Sequence, residues 1–167
     1  QGHTNAARVL TEKILELSEI VDGDQVLDLY GGAGLFAKVL LTKFSGIAKL
    51  HLIESNDKAT ADARKNLAPF TAKVSIHTGR VEQWLTQIKK ADVVVLDPPR
   101  SGTGELVNNL LIKLAPRKII YVSCDPASLA RDSAQFVGGG YKLGHIEGFD
   151  LFPNTQHIEC VATFTHG

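Results

Sequence analysis

The 167 residues carry eighteen Lys and Arg against eighteen Asp and Glu, 44% hydrophobic residues, two cysteines and no methionine. A chain of this length buries roughly two-thirds of its unfolded surface, enough for one core but too little for two full domains. No apolar run approaches the ~20 residues of a membrane span, no signal-like segment opens the chain, and its periodic apolar pattern excludes disorder and collagen.

Cys124 and Cys160 make neither a disulfide framework nor a metal cluster, so a single cytoplasmic domain from a reducing compartment is expected. Charge balances within each half, and the only basic tilt runs from Arg100 to Arg131. Nucleic-acid binders usually show a basic excess, so a phosphate grip, if needed, is expected on sequence outside this chain. Gln1-Gly2-His3 reads equally as native sequence or as the scar of a removed tag, and the chain as the C-terminal fragment of a longer protein.

The predicted elements alternate. Thr4 to Val21 carries Val9, Leu10, Ile14, Leu17 and Ile20 at helical spacing. A strand from Gln25 to Tyr30 closes in Gly31-Gly32-Ala33-Gly34, and a helix follows from Leu35 to Phe44. Ala48 to Ile53 is a strand ending at Glu54, and Asp57 to Leu67 a helix with a polar face. Strands at Lys73 to His77, Ala91 to Leu96 and Lys118 to Ser123 alternate with helices at Val81 to Ile88, Gly104 to Leu114 and Ala127 to Phe136. Strands without polar alternation belong to parallel sheets covered on both faces. Tyr141 to Phe149 and His157 to Phe164 are joined by too few residues for a helical crossover, so they should pair antiparallel. The sum is an α/β domain spanning 1–167, a doubly wound Rossmann-like fold with a mostly parallel seven-stranded sheet and an antiparallel C-terminal strand pair.

Ligands of such sheets bind beyond the carboxyl ends of the strands. Five loops fall there: Asp28 to Gly31, Glu54 to Asn56, His77 to Arg80, Asp97 to Arg100, and Ser123 to Pro126. Gly32-x-Gly34-x-x-Ala37 opens a helix, and Glu54 stands twenty residues beyond Gly34, placed to accept from ribose hydroxyls. This pattern alone suits a dinucleotide, S-adenosylmethionine or a tight turn with no ligand. Asp28, Asp97-Pro98-Pro99 and the lack of a following substrate domain favour S-adenosylmethionine: a carboxylate below the glycines suits a cation better than a pyrophosphate. Cys124 sits just past the fifth strand, where Arg100 and Arg131 could stabilise a thiolate, whereas Cys160 lies within a strand and reads as core packing. Glu159 reads either as a base near Cys124 or as a carboxylate facing solvent on an edge.

Four segments resemble the RNA uracil-5-methyltransferases, which make 5-methyluridine in tRNA or rRNA. They are Val26 to Gly34, Leu96-Asp97-Pro98-Pro99-Arg100-Ser101-Gly102, Tyr121 to Asp132, and Phe152-Pro153-Asn154-Thr155-Gln156-His157-Ile158-Glu159. Ser-Cys-Asp-Pro with Ala-x-Leu-Ala-Arg-Asp, followed by Phe-Pro…His-Ile-Glu, is the specific part; the glycine turn is not.

The resemblance implies covalent catalysis, with Cys124 adding to uracil C6 and Glu159 removing the C5 proton. It implies that Asp97 holds the pyrimidine and that Arg100 and Arg131 contact the RNA. Gln1, Asp28, Tyr30, Gly31, Gly32, Gly34, Glu54 and Asp97 would bind S-adenosylmethionine, leaving S-adenosylhomocysteine as product. No metal is expected, because the family's iron–sulfur cluster belongs to a region this chain does not contain, as does its RNA-binding module. Gly79-Arg80-Val81 departs from the acidic or amide residue frequent after the third strand. The rival expectations are an exocyclic-amine methyltransferase, a nicotinamide-linked oxidoreductase and a non-catalytic RNA-binding protein.

Overall fold

The computed structural model describes residues 2–151 and 158–166. Helix α1 spans Gly2–Ser18, and the α/β alternation follows as β1 (Gln25–Leu29), α2 (Leu35–Lys43), β2 (Lys49–Glu54), α3 (Asp57–Asn66) and β3 (Val74–Thr78). Then come α4 (Val81–Leu85), β4 (Val93–Leu96), α5 (Glu105–Leu114), β5 (Lys118–Ser123) and α6 (Pro126–Gly138), with β6 (Tyr141–Phe149) and β7 (Glu159–His166) closing the chain. The seven strands form one sheet in the order β3-β2-β1-β4-β5-β7-β6.

The first five strands are parallel, and β7 runs antiparallel to both β5 and β6. Their unbroken apolar runs have the expected cause. Every residue of β4 and β5 is buried, because helices cover both faces of the sheet. Ile14 of α1, Phe36 and Leu40 of α2 and Ala63 of α3 pack with Val26, Leu52, Val95 and Val122 on one face. Val81 of α4, Leu111 of α5 and Phe136 of α6 pack with Leu29, Leu96, Tyr121 and Phe164 on the other. Among the described residues no helix is long and apolar enough to cross a membrane.

Helix α1 stops at Ser18 rather than Val21, and helix α4 at Leu85 rather than Ile88. The expected antiparallel C-terminal pair forms, with the final strand inserted between β5 and β6. Its Val-Ala-Thr-Phe core is buried on both faces, whereas β6 is exposed along most of its length, so the more apolar strand takes the interior place.

Strand order reverses between β1 and β4. Successive connections first build outward through β2 and β3, then cross to β4 and β5 on the other side. The crevice at such a switch point is where open α/β sheets bind ligands. Here it lies between the ends of the strands carrying Asp28 and Asp97.

Candidate functional site

The five parallel strands share one direction, so the loops that follow them gather at a single edge. The turn after β1 is shaped by close packing. Gly31 donates its N–H to Ile53 O at 3.1 Å, and a Cβ at Gly31 would lie 2.6 Å from Leu52 Cγ. Gly32 has φ 55° with nothing within 4 Å of an added Cβ, so the backbone there faces open space. Tyr30, just before, holds a left-handed φ of 59°, a strained conformation for a residue with a Cβ. Its ring is half-buried, and burial, then the charges of Glu82 and Asp132, push its hydroxyl above the ordinary range.

Glu54 ties this turn to the next. Its Oε2 accepts from Gly32 N at 3.0 Å and its Oε1 from Asn56 N at 2.9 Å. Each oxygen retains a second lone pair for a ligand hydroxyl.

Asp28 lies beneath the glycine turn and is fully buried. Its Oδ2 accepts from Ala37 N at 3.1 Å, in the first turn of α2, while its Oδ1 is buried without a hydrogen-bond partner. Burial, the negative charge of Asp97 and that of Glu54 push its carboxyl up to about 7, against the Ala37 hydrogen bond, which lowers it. A buried acid with one orphaned oxygen is a costly arrangement. It is the feature a bound cation would relieve.

Asp97 follows β4 on the neighbouring strand. Desolvation, then Glu159 and Glu54, push its carboxyl up to about 7. The residue is nevertheless open to solvent, so water screens the like-charge repulsion. Three strand ends thus bring Asp28, Glu54 and Asp97 into mutual electrostatic reach.

The antiparallel register brings Cys124 and Glu159 within electrostatic reach. Ser123 of β5 pairs with Cys160 of β7, Cys124 and Glu159 each stand one residue beyond that pair, and the Glu159 charge acts on the Cys124 thiol. Cys124 is half-buried. Its loop is rigid: Ser123 Oγ accepts from Asp125 N at 3.0 Å and donates to Asp125 O at 2.9 Å, and Asp125 Oδ2 caps α6 by accepting from Ser128 N at 3.0 Å.

Burial, then the charge of Glu159, push the Cys124 thiol up, and a backbone hydrogen bond and Arg100 offset them only in part. The charge of Arg100 lowers the Cys124 thiol, whereas Arg131 is engaged elsewhere: its Nη2 donates to Ser101 O and lies 3.6 Å from Asp132 Oδ1. Cys160 is half-buried and packs against the core cluster beneath α6 without being sealed in it.

Gln1 and residues 152–157, which include most of the Phe-Pro…His-Ile-Glu segment, lie outside the described residues. Arg80 is exposed at the start of α4, and Trp84 Nε1 donates to Thr78 O at 3.2 Å across the same loop. Among the described residues no group of three or more His, Cys, Asp or Glu could hold a metal ion. A groove of about 330 Å³ runs between α4 and α5, lined by Leu85, Ile88, Leu110 and Leu114. It holds none of the strand-end carboxylates, so the chemistry points to the sheet edge instead.

The sequence reading missed the buried polar cluster behind the Asp97 loop. Asp132 is fully buried and accepts from Tyr121 Oη at 2.5 Å, Thr103 N at 3.0 Å and Asn108 Nδ2 at 2.9 Å. Its signal in the sequence was the aspartate that closes the Ala-x-Leu-Ala-Arg-Asp segment.

The family model for tRNA (uracil-5-)-methyltransferases matches residues 1–166. An uncharacterized RNA methyltransferase of Streptomyces avermitilis is 46% identical over 164 residues, covering 97% of this chain and 38% of that protein. Another from Bacillus cereus is 35% identical, covering 97% of this chain and 36% of its own length. The crystal structure of Pyrococcus abyssi tRNA (uracil-54, C5)-methyltransferase in complex with S-adenosyl-L-homocysteine is 31% identical with a TM-score of 0.81, covering 96% of this chain and 38% of that one. A precorrin-6y C5,15-methyltransferase of Geobacter metallireducens, 13% identical with a TM-score of 0.76, shares the fold across 94% of this chain and 87% of its own. The chain therefore spans about two-fifths or less of the length of these curated relatives.

Proposed function

The chain belongs to the tRNA (uracil-5-)-methyltransferase family, and from that premise we propose that residues 1–167 are the catalytic domain of an enzyme that transfers a methyl group from S-adenosylmethionine to C5 of a uridine in tRNA or rRNA. A cytoplasmic setting belongs to the same proposal. RNA capture would fall largely to the remainder of the protein, since this chain has no net charge.

The cofactor fits the residues present. The orphaned Oδ1 of buried Asp28 suits an ammonium or sulfonium, the open backbone at Gly32 leaves room for the nucleoside, and Glu54 retains lone pairs for ribose hydroxyls. Gln1, Tyr30, Gly31, Gly34 and Asp97 complete the proposed set. When bound, S-adenosylmethionine supplies an electrophilic methyl group.

The observation that most supports a covalent route is that Cys124 and Glu159 each stand one residue beyond the last β5–β7 register pair, Ser123–Cys160, with the Glu159 charge acting on the thiol. Cys124, as thiolate after losing its proton to water, forms an Sγ–C6 bond, and the displaced π electrons make C5 a nucleophilic enolate carbon. Uracil C5 is otherwise too weak a nucleophile, so the addition divides one hard step into two easier ones. Arg100 favours the thiolate. Asp97 accepts from the ring N–H, and Arg131 helps hold the flipped nucleotide. Once C5 carries the methyl group, Glu159 takes the C5 proton; the C5=C6 bond re-forms as the Sγ–C6 bond breaks.

The test incubates the full-length protein with S-adenosylmethionine and RNA containing 5-fluorouridine at the target position. Fluorine cannot leave as a cation, so a covalent protein–RNA adduct should accumulate on a denaturing gel and vanish with Cys124→Ala. Demonstrated RNA binding with no adduct would overturn the covalent reading.

A further inference from the structure

Behind the Asp97 loop, two consecutive residues of α6 grip the same turn. The turn is closed by Gly102 N donating to Pro99 O at 2.8 Å, with Arg100 and Ser101 at its corner. Arg131 Nη2 donates to Ser101 O, and Asp132 Oδ2 accepts from Thr103 N at 3.0 Å. Contact is tight: Gly102 has φ 80°, and a Cβ there would collide with Asp132 Oδ2. From below, Tyr121 Oη donates to Asp132 Oδ2 at 2.5 Å and Asn108 Nδ2 to Asp132 Oδ1 at 2.9 Å, with Asn108 Nδ2 also reaching Gln135 Oε1. Tyr121 is wholly buried in β5, and Asn108 wholly buried in α5.

The geometry points to Asp132 as a positioning residue that anchors the Pro99–Gly102 turn to β5 and α5, and so sets where Arg100 stands relative to Cys124. A buried carboxylate is a poor choice for stability alone, since an apolar group of similar size often does as well. It is a good choice for holding a backbone N–H from a loop in one place, because charge-assisted hydrogen bonds are short and directional. Burial opposes its ionisation, but the hydrogen bonds from Tyr121, Thr103 and Asn108 outweigh it and hold the carboxyl below its ordinary value. The anchor therefore keeps its charge across the neutral range.

The meaning of Arg100 for catalysis rests on the proposed chemistry. The test reads thiol reactivity rather than methyl transfer, so either can fail alone. Three charged groups act on Cys124: Glu159 from β7, and Arg100 and Asp97 from the loop after β4. In Asp132→Asn the amide group must turn a donor toward either Asn108 or the Tyr121–Thr103 pair, which breaks the link to α5 or the link to β5 and the turn and removes the charge from both. In Gly102→Ala Asp132 keeps its partners Tyr121 and Asn108, and the new methyl group pushes the turn away from Asp132 Oδ2.

Both variants should slow iodoacetamide alkylation of Cys124 near neutral pH by about threefold and move its pH profile upward, because Arg100 no longer stands near enough to favour the thiolate. Cys160, followed by mass spectrometry in the same sample, should keep its rate. An unchanged Cys124 profile in a folded variant overturns the proposal. An equal change at both cysteines overturns it too, since that is what general loosening would produce. If Asp132→Asn does not fold, Gly102→Ala decides the matter.

Discussion

Replacing Asp28 with an asparagine should make the ligand-free protein more stable at alkaline pH and worse at holding its proposed cofactor. A carboxyl that ordinarily titrates near 3.8 and is pushed up to about 7 opposes folding when ionised by on the order of 4 kcal/mol, at about 1.4 kcal/mol per pH unit. The raised value gives the sign. Between about 4 and 7 the folded protein keeps a proton that the unfolded chain has lost, so this group's stability contribution is intact at low pH and is lost as pH rises through 7. The Asp28→Asn change removes that penalty, and the new amide oxygen can still accept from Ala37 N. Its N–H group, however, would inherit the orphaned position of Oδ1, at a cost of about 1–3 kcal/mol. The net expectation is a gain of about 1–3 kcal/mol at pH 8 that disappears by pH 5. Urea denaturation of both proteins at pH 5, 6, 7 and 8 measures it. The other acids titrate in both, so the difference curve isolates Asp28. Parallel curves, or a wild type more stable at pH 8, would refute the argument. Loss of S-adenosylmethionine affinity in the stabler variant would mark Asp28 as an acid kept for ligand binding at the expense of stability.

Gly31→Ala should destabilise the fold by about 1–3 kcal/mol in the same assay, because its Cβ would sit 2.6 Å from Leu52 Cγ in the core; stabilisation by S-adenosylhomocysteine should fall with it. Arg117→Ala should cost about 2 kcal/mol at pH 7, since Arg117 Nη1 and Nη2 donate to the Asp24 oxygens at 2.7 and 2.6 Å and Asp24 is 5% exposed. Burial alone would raise Asp24, but the hydrogen bonds from Arg117 and Val21 N outweigh it and lower its pKa. That contribution is present above the unfolded value and fades as pH falls, so the deficit in urea melts should shrink on acidification below about 4. Glu159→Gln should reduce turnover on RNA by about a hundredfold or more while allowing the cysteine–RNA adduct to accumulate on unmodified uridine. It should also speed Cys124 alkylation, because after burial the Glu159 charge is the main influence raising that thiol. Faster alkylation without adduct would separate the electrostatic role of Glu159 from the proton-abstraction role.

Much of this protein was legible along the chain because its signals are local. Val93 to Leu96 and Lys118 to Ser123 read as doubly covered parallel strands from their unbroken apolar runs, and all five strand-end loops were identifiable from turn residues and lone carboxylates. Glu54 was recognisable by its spacing from Gly34, and the structure joins it to Gly32 N. What the sequence left open depends on which segments become neighbours. The place of β7 between β5 and β6 is a competition over burial between two strands, which neither settles alone. The Cys124 thiol is raised first by burial and then by the Glu159 charge that this insertion brings toward the end of β5. Asp132 likewise closes a recognisable segment, but what it holds is decided only where β5, α5 and the Asp97 loop converge on it. Periodicity and turn chemistry act over a few residues and can be read in one dimension. Desolvation and long-range charge act through space, and only the folded chain decides them.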